Sequence, residues 1–380
     1  MTMPPRSELL VEPVASRRQR REFLELPRRL YGDDPNWVAP IELELRQRLW
    51  GANPFLDRAR MQAWIARSGT RVVGRITAQF DPLHQEVHHD ATGAFGFLET
   101  ENDPGIVAAL CATAGDWLRE QGAGSMRGPL NLSVNEECGL LVDGFDTPPS
   151  VMMGHARPYY DALLAQNGFL KGRDLLAYRV APDFEAPAVM RRLSQSLAGT
   201  VTVRCIDKRR AAEELESIRE VFNDAWSENY GFVPFTREEF AEVGKLVTLL
   251  VPPSYVQIAE VDGKTAAFIV AMPNINEVSA PLKGRLLPFG WLRLLWGLKV
   301  RHPRSARVPL MGVRKQFQHS RYGPGLAFMV IDAVRKGLCE RGVREVELSW
   351  ILEDNSGMRS IIESIGGEPY KRYRLYEKAI

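Results

Sequence analysis

The chain has 380 residues, 45% hydrophobic and 25% charged, with a formal net charge of +2. That length and apolar content allow two domains with full cores, and the near-neutral balance gives no support to nucleic-acid binding. Cys111, Cys138, Cys205 and Cys339 are scattered, with no C-x-x-C pair, which suits a reduced cytoplasmic protein and argues against a disulfide framework or a zinc site.

The first residues contain no apolar core of signal-peptide length, and no uninterrupted apolar run is long enough for a transmembrane helix. A strand is predicted at Glu8–Pro13 and a basic helix at Arg17–Leu30, with another helix near Ile41–Leu49. Met61–Ala66 and Arg71–Phe80 alternate in polarity around Ser68-Gly69-Thr70, a hairpin signal. A third strand at Ala94–Glu99 is followed by a helix over Ile106–Glu120 and a strand at Ser125–Pro129. The stretch from Asn131 to Pro149 is loop-rich. Tyr159–Gln166 reads as a helix and Leu175–Val180 as a strand. His84, His88 and His89, beside Asp81 and Asp90, leave open a metal site or a polar surface loop, and no metal is expected.

The second half repeats that order. Val201–Ile206 is a predicted strand, Ala211–Trp226 and Thr236–Leu246 are helical, and Tyr255–Val261 with Thr265–Met272 form a hairpin around Asp262-Gly263. Ser356–Ile365 is a helix and Arg372–Lys378 the last strand. Matching ends of the two halves, such as Gly168-Phe169 beside Gly366-Gly367, predict a duplication of about 190 residues, two copies of one domain rather than a solenoid. The expected division is 1–180, a linker at 181–200 with a helix from Pro187 to Leu197, and 201–380.

Between the second hairpin and the last helix lies a strand, glycine loop, helix, strand sequence from Arg307 to Asn355. Val308–Val313 is the first strand, Arg314–Gly325 the loop, Leu326–Leu338 the helix and Val343–Leu352 the second strand. Unpaired N–H groups and the helix dipole favour an anion at such a loop. Gly323 and Gly325 allow close approach, and Arg314, Lys315 and Arg321 add positive charge. This stretch resembles the core of the Gcn5-related N-acetyltransferase (GNAT) superfamily, whose loop reads Arg/Gln-x-x-Gly-x-Gly/Ala. The corresponding residues are Ser320-Arg321-Tyr322-Gly323-Pro324-Gly325, with both glycines present and Ser at the first position.

The resemblance implies an α/β (α+β, mixed-sheet) fold of two tandem GNAT-like domains, and acyl-coenzyme A as co-substrate with no tightly bound cofactor. It implies donor contacts at Met311, Gly312, Val313, Arg314, Arg321, Gly323, Gly325, Leu326 and Asn355. In the first copy, Glu99, Glu101 and Asp103 occupy the place of the loop, with no Arg or Lys, and would repel a pyrophosphate. The donor is therefore expected in the second copy. The first copy is expected to be structural, or to supply a wall of the acceptor pocket through the loop that carries Asn135.

An insertion at 274–307 holds Trp291, Leu295 and Trp296 among basic residues, with no acid between Val278 and Arg307. It reads either as a membrane-interface segment, through 283–304, or as a lid over a protein core. With PNINE, LLPFG, ELSWILEDN and YRLYEK, the chain resembles the bacterial ceramide synthase group of GNAT-related proteins. That resemblance implies a cytoplasmic enzyme, peripheral on the inner membrane, that moves a long-chain acyl group from a CoA or acyl-carrier-protein thioester to the amine of a sphingoid base. The alternative is an acetyl-CoA-dependent N-acetyltransferase for a small or protein amine.

Amide formation from a thioester needs a base, an oxyanion site and an acid for the leaving thiolate. Glu353 and Glu277 are the preferred bases, with Glu347 behind them. The family's usual Tyr acid falls on Ile362, so either Tyr373, Tyr370 or Tyr322 substitutes or the thiolate leaves unassisted by a side chain.

Overall fold

The computed structural model describes residues 8–320 and 322–380. The chain forms two compact units, one of residues up to Asp174 together with Arg372–Ile380, the other of Leu175–Lys371.

The first unit opens with β1 (Leu9–Pro13), α1 (Arg17–Leu30), α2 (Glu42–Trp50) and α3 (Pro54–Arg58). Then follow β2 (Arg60–Ser68), β3 (Arg71–Phe80), α4 (Pro82–His88), β4 (Thr92–Thr100), α5 (Pro104–Glu120) and β5 (Ser125–Gly128). Three short strands, β6 (Leu130–Asn131), β7 (Glu137–Cys138) and β8 (Leu140–Asp143), lie where the sequence reads only as loop. The helix α6 (Tyr159–Gln166) and the strand β9 (Leu170–Val180) follow. Helix starts are legible locally. Asn53, Asp81 and Asp103 each cap a helix whose next residue is proline, and Ser16 forms a capping box with Gln19. β1 to β5 pair in chain order, antiparallel except for the parallel β4–β5 pair. Phe23, Leu49, Ile65, Phe97 and Leu132 form the centre of one buried cluster of this unit.

The second unit comprises α7 (Ala188–Ser196), β10 (Val201–Cys205), α8 (Ala211–Trp226), α9 (Arg237–Leu250), β11 (Val256–Val261) and β12 (Lys264–Pro273). The insertion follows, with the short helices α10 (Ile275–Ser279) and α11 (Gly290–Trp296). The unit ends with β13 (Ser305–Val313), α12 (Lys315–Gln318), α13 (Tyr322–Glu340), β14 (Glu345–Leu352), α14 (Ser356–Ser364) and the first part of β15 (Glu368–Ala379). Its strand order is β9-β14-β13-β12-β11-β10, with β13–β14 the parallel pair.

The duplication is visible residue by residue. β3 and β12 each have 10 residues, and β4 and β13 each have 9. The pair Gly74↔Thr100 in one hairpin corresponds to Ala267↔Val313 in the other, and both ladders carry an irregularity before the parallel strand begins to pair.

The compact units are not the contiguous halves expected from the sequence. Leu175–Val180 of β9 pairs with β14, while residues 372–379 of β15 pair with β5 and β8. Each unit's run of paired strands is finished by a strand that ends the other copy's sequence. The expected linker segment also belongs to the second unit, where α7 packs on α13: a Cβ on Gly325 would meet Leu197 Cδ1 at 2.5 Å.

Deleting Arg372–Ile380 should leave β5 and β8 without their partner strand. Limited proteolysis is expected to cut the chain before Asp174 much faster than wild type. Unchanged protection there would show that the first unit holds without its final strand.

Candidate active site

β13 and β14 run parallel from Ser305↔Glu345 to Val308↔Leu348 and then part. Beyond that point β14 pairs with β9, at Ile351↔Leu176 and Leu352↔Leu175, while β13 runs on beside β12 to Val313. The residue at the parting is Pro309, which has no N–H to offer a ladder. Arg314 N donates to Ala266 O at 2.9 Å, which makes Val313↔Ala267 a non-hydrogen-bonded pair. The peptide groups of Val313 and Met311 therefore point away from β12, toward the side β14 has left. Their carbonyls are taken: Met311 O accepts from Trp226 Nε1 at 2.8 Å and Val313 O from Gln318 Nε2 at 2.8 Å. What faces the gap is a pair of amide N–H groups, the donor type an oxyanion requires. Gly312 between them is needed for packing, since a Cβ there would lie 2.9 Å from the Phe268 ring.

The glycine loop is held tightly by its own chain. Ser320 Oγ accepts from Tyr322 N at 3.1 Å, and Gly323 N donates to Ser320 O at 3.1 Å. A Cβ on Gly323 would come within 2.6 Å of Gln318 O, so that glycine allows α12 to lie against the start of α13. Arg314 Nε donates to Thr265 O at 2.7 Å, and its other nitrogen lies 3.5 Å from Glu220. Lys315 Nζ bonds Glu228 at 2.6 Å, and Lys315 N bonds Asp224 at 2.7 Å. Arg321 lies outside the described residues. Leu326 is fully buried.

At the vertex of the gap lies a buried polar group. Arg307, opposite Glu347 in the register, is wholly buried. Its Nε donates to Ser349 Oγ at 2.8 Å and lies 3.4 Å from Glu347, and its guanidinium sits 4.5 Å from the centre of the Trp350 ring. Ser349 Oγ donates to Glu347 Oε1 at 2.6 Å, and Tyr370 OH donates to Glu347 Oε2. The sequence signal was an Arg and a Glu inside otherwise apolar strands; nothing in it indicated that they face one another.

The first unit has the same parting after Ala94↔Arg127, but its own chain fills it. A Cβ on Gly96 would lie 1.9 Å from Leu130 O. Phe97 N donates to Asn131 Oδ1 at 2.7 Å, and Gln79 Nε2 to Leu130 O at 2.8 Å. The acidic loop is built into the fold. Glu99 is half-buried and accepts from Tyr31 OH at 2.7 Å and Tyr160 OH at 2.8 Å, and desolvation raises its pKa against the pull of Arg75. Glu101 pairs with Arg29 and Arg71, each at 2.6 Å, and Asp103 caps α5.

No family model matches the chain. It is 47% identical over 372 residues to Protein YghO of Escherichia coli (strain K12), covering 98% of this chain and 95% of that protein. It is 43% identical over 377 residues to the bacterial ceramide synthase of Caulobacter vibrioides, covering 98% of each. The chain belongs to the bacterial ceramide synthase family. Among solved structures, a tandem GNAT protein from the clavulanic acid biosynthesis pathway matches with a TM-score of 0.58 at 18% identity, covering 98% of each chain, and this likeness concerns the fold.

For this ceramide-synthase-family chain the structure scatters several of the expected site residues. Glu277 closes the base of the insertion: its carboxylate accepts from Arg304 N at 2.9 Å and Ser305 N at 2.7 Å, and from the Ser305 hydroxyl. Glu353 lies in the turn after β14, where its carbonyl accepts from Arg359. Asn355 caps α14, its side chain accepting from Met358 N at 3.0 Å. Tyr373 is fully buried and belongs to the first unit. Asn135 is also in the first unit, in the turn between β6 and β7. Trp291, Leu295 and Trp296 are exposed on the insertion at 45%, 41% and 55%. Of the histidines, His84 bonds Asp90 at 3.0 Å and stacks on His88.

Glu277→Ala should release the clasp of the insertion and lower stability by about 1.5–3 kcal/mol, the range for hydrogen bonds to a charged group, measured by denaturant unfolding. Gly325→Ala should cost about 1–3 kcal/mol through its crowding against Leu197, and the double variant Gly325→Ala/Leu197→Ala should lose less than the sum of the two single losses.

Proposed function

We propose that the protein transfers a long-chain acyl group from an acyl-CoA, or an acyl-carrier-protein thioester, to the amine of a long-chain base, forming an amide. The observation that carries this reading is the open parting of β13 and β14. An extended thioester arm can lie there beside the strand, with its carbonyl oxygen against the N–H groups of Met311 and Val313. The equivalent place in the first unit is filled by Leu130 and Asn131, so the donor site is assigned to the second unit. The 43% identical bacterial ceramide synthase supports a sphingoid base as acceptor.

The insertion supports a lipid acceptor over a soluble one. Leu287 and Phe289 are 78% and 73% exposed, and Trp291, Leu292, Trp296 and Val300 are exposed beside them. Arg285, Arg293 and Arg301 are exposed on the same segment. Exposed aromatic and aliphatic side chains among cations match a bilayer interface with anionic headgroups. Among the described residues no helix is long and apolar enough to cross a membrane, so the proposed contact is peripheral, at the cytoplasmic face of the inner membrane.

The deciding assay is thiol release by the purified chain, with long-chain acyl-CoA and acetyl-CoA each offered sphinganine and soluble amines. Release that needs both the long-chain donor and the sphingoid base is expected. Release with acetyl-CoA and a soluble amine would return the protein to the N-acetyltransferase alternative. Trp291→Ala/Trp296→Ala should weaken sedimentation with vesicles containing anionic lipid. Arg293→Ala should cost about 1 kcal/mol, or about fivefold in partitioning. Unchanged sedimentation would make the insertion a lid.

A further inference from the structure

We propose that the proton acceptor of the transfer is Glu347, acting through Ser349, with Arg307 and Tyr370 as positioning residues. This rests on the N-acyl transfer read above. The assignment follows from place and partners. Arg307↔Glu347 is the last register pair but one before the strands part, and Ser349 is the first residue of β14 beyond the last pair. The group therefore lies where the reacting carbonyl of a thioester held by Met311 and Val313 would be nearest the vertex. Of the carboxylates considered, Glu277 is committed to the backbone of Arg304 and Ser305, whereas Glu347 is 4% exposed and joined to a hydroxyl at the vertex.

Two hydroxyl donors and a buried cation hold both oxygens of the Glu347 carboxylate. Arg307 faces Glu347 from β13, Tyr370 from β15, and Lys371 and Arg179 lie against the Tyr370 ring at 5.5 and 5.9 Å. Arg307 balances the carboxylate, and Tyr370 fixes its second oxygen, leaving the first oriented on Ser349.

The step balances as follows. The ammonium gives one proton to Ser349 Oγ as Ser349 passes its own to Glu347. The freed amine forms a C–N bond to the thioester carbon, and the carbonyl electron pair moves to oxygen. Collapse restores C=O and breaks C–S, the pair leaving on sulfur. The second nitrogen proton goes to that thiolate, giving the amide and the thiol, and Glu347 returns its proton to solvent.

The test measures kcat, KM and the pH–rate profile of thiol release for wild type, Glu347→Gln, Ser349→Ala and Glu347→Asp. Glu345→Gln, exposed on the same strand, serves as control. Glu347→Gln should lower kcat by about a hundredfold or more, keep the donor KM within about twofold, and lose the acidic limb of the profile. Glu347→Asp should restore part of the rate. Ser349→Ala retains the charge pair, so it tests the relay should Glu347→Gln fail to fold, and it should likewise lower kcat at unchanged donor KM. Wild-type kcat in Glu347→Gln or Ser349→Ala, or a lowered kcat with the acidic limb intact, overturns the assignment alone. A wild-type chain that releases no thiol with any donor and amine overturns the N-acyl transfer reading, and this assignment with it.

Discussion

The second unit depends on two parallel strands that stop pairing while both continue. Up to Val308↔Leu348 they share a ladder; past it each keeps only its outer neighbour, β12 for β13 and β9 for β14. A parting inside a sheet exposes peptide groups that must find partners. The carbonyls of Met311 and Val313 are met by Trp226 and Gln318, which leaves donors rather than acceptors facing the opening. Just beneath the parting, Arg307 is fully buried and is held by Glu347, Ser349 and the Trp350 ring. Removing one partner of such a buried pair costs about 3–5 kcal/mol, so the vertex and the opening stand or fall together.

Duplication has given two copies of that geometry with different fates. The strand lengths and register agree between copies, yet Leu130 and Asn131 occupy in one what the other keeps open. The acidic loop of the first copy has become structure: Glu99 bonds two tyrosines and Glu101 two arginines. Its carboxylates are thus taken up by the fold of the first unit.

Much of this was legible in the sequence, where the signal is local. The hairpins at Asp262-Gly263 and Ser68-Gly69-Thr70, the Asx-Pro helix starts and the glycine pair all lie within a few residues. Gly323 and Gly325 are also required by contacts with Gln318 and Leu197, which no local pattern reveals. Glu277 follows a hairpin in the sequence, but its partners Arg304 and Ser305 are brought to it by the closure of the insertion. The Arg307–Glu347 pairing arises from the parallel register of two strands far apart in sequence. Strand exchange was hidden for the same reason, since Arg372–Lys378 reads as a strand without saying which sheet it joins.

That exchange has a consequence during synthesis. The first unit includes Arg372–Ile380, which are synthesised after every residue of the second unit. Between Asp174 and Arg372 the ribosome must add the whole of Leu175–Lys371, which takes roughly 10–40 s at about 5–20 residues per second. For that interval the nascent first unit carries an open sheet edge at β5, a surface for a chaperone or for another chain to capture. The order of translation thus runs against the order in which the copies can be completed: the copy made first is finished last.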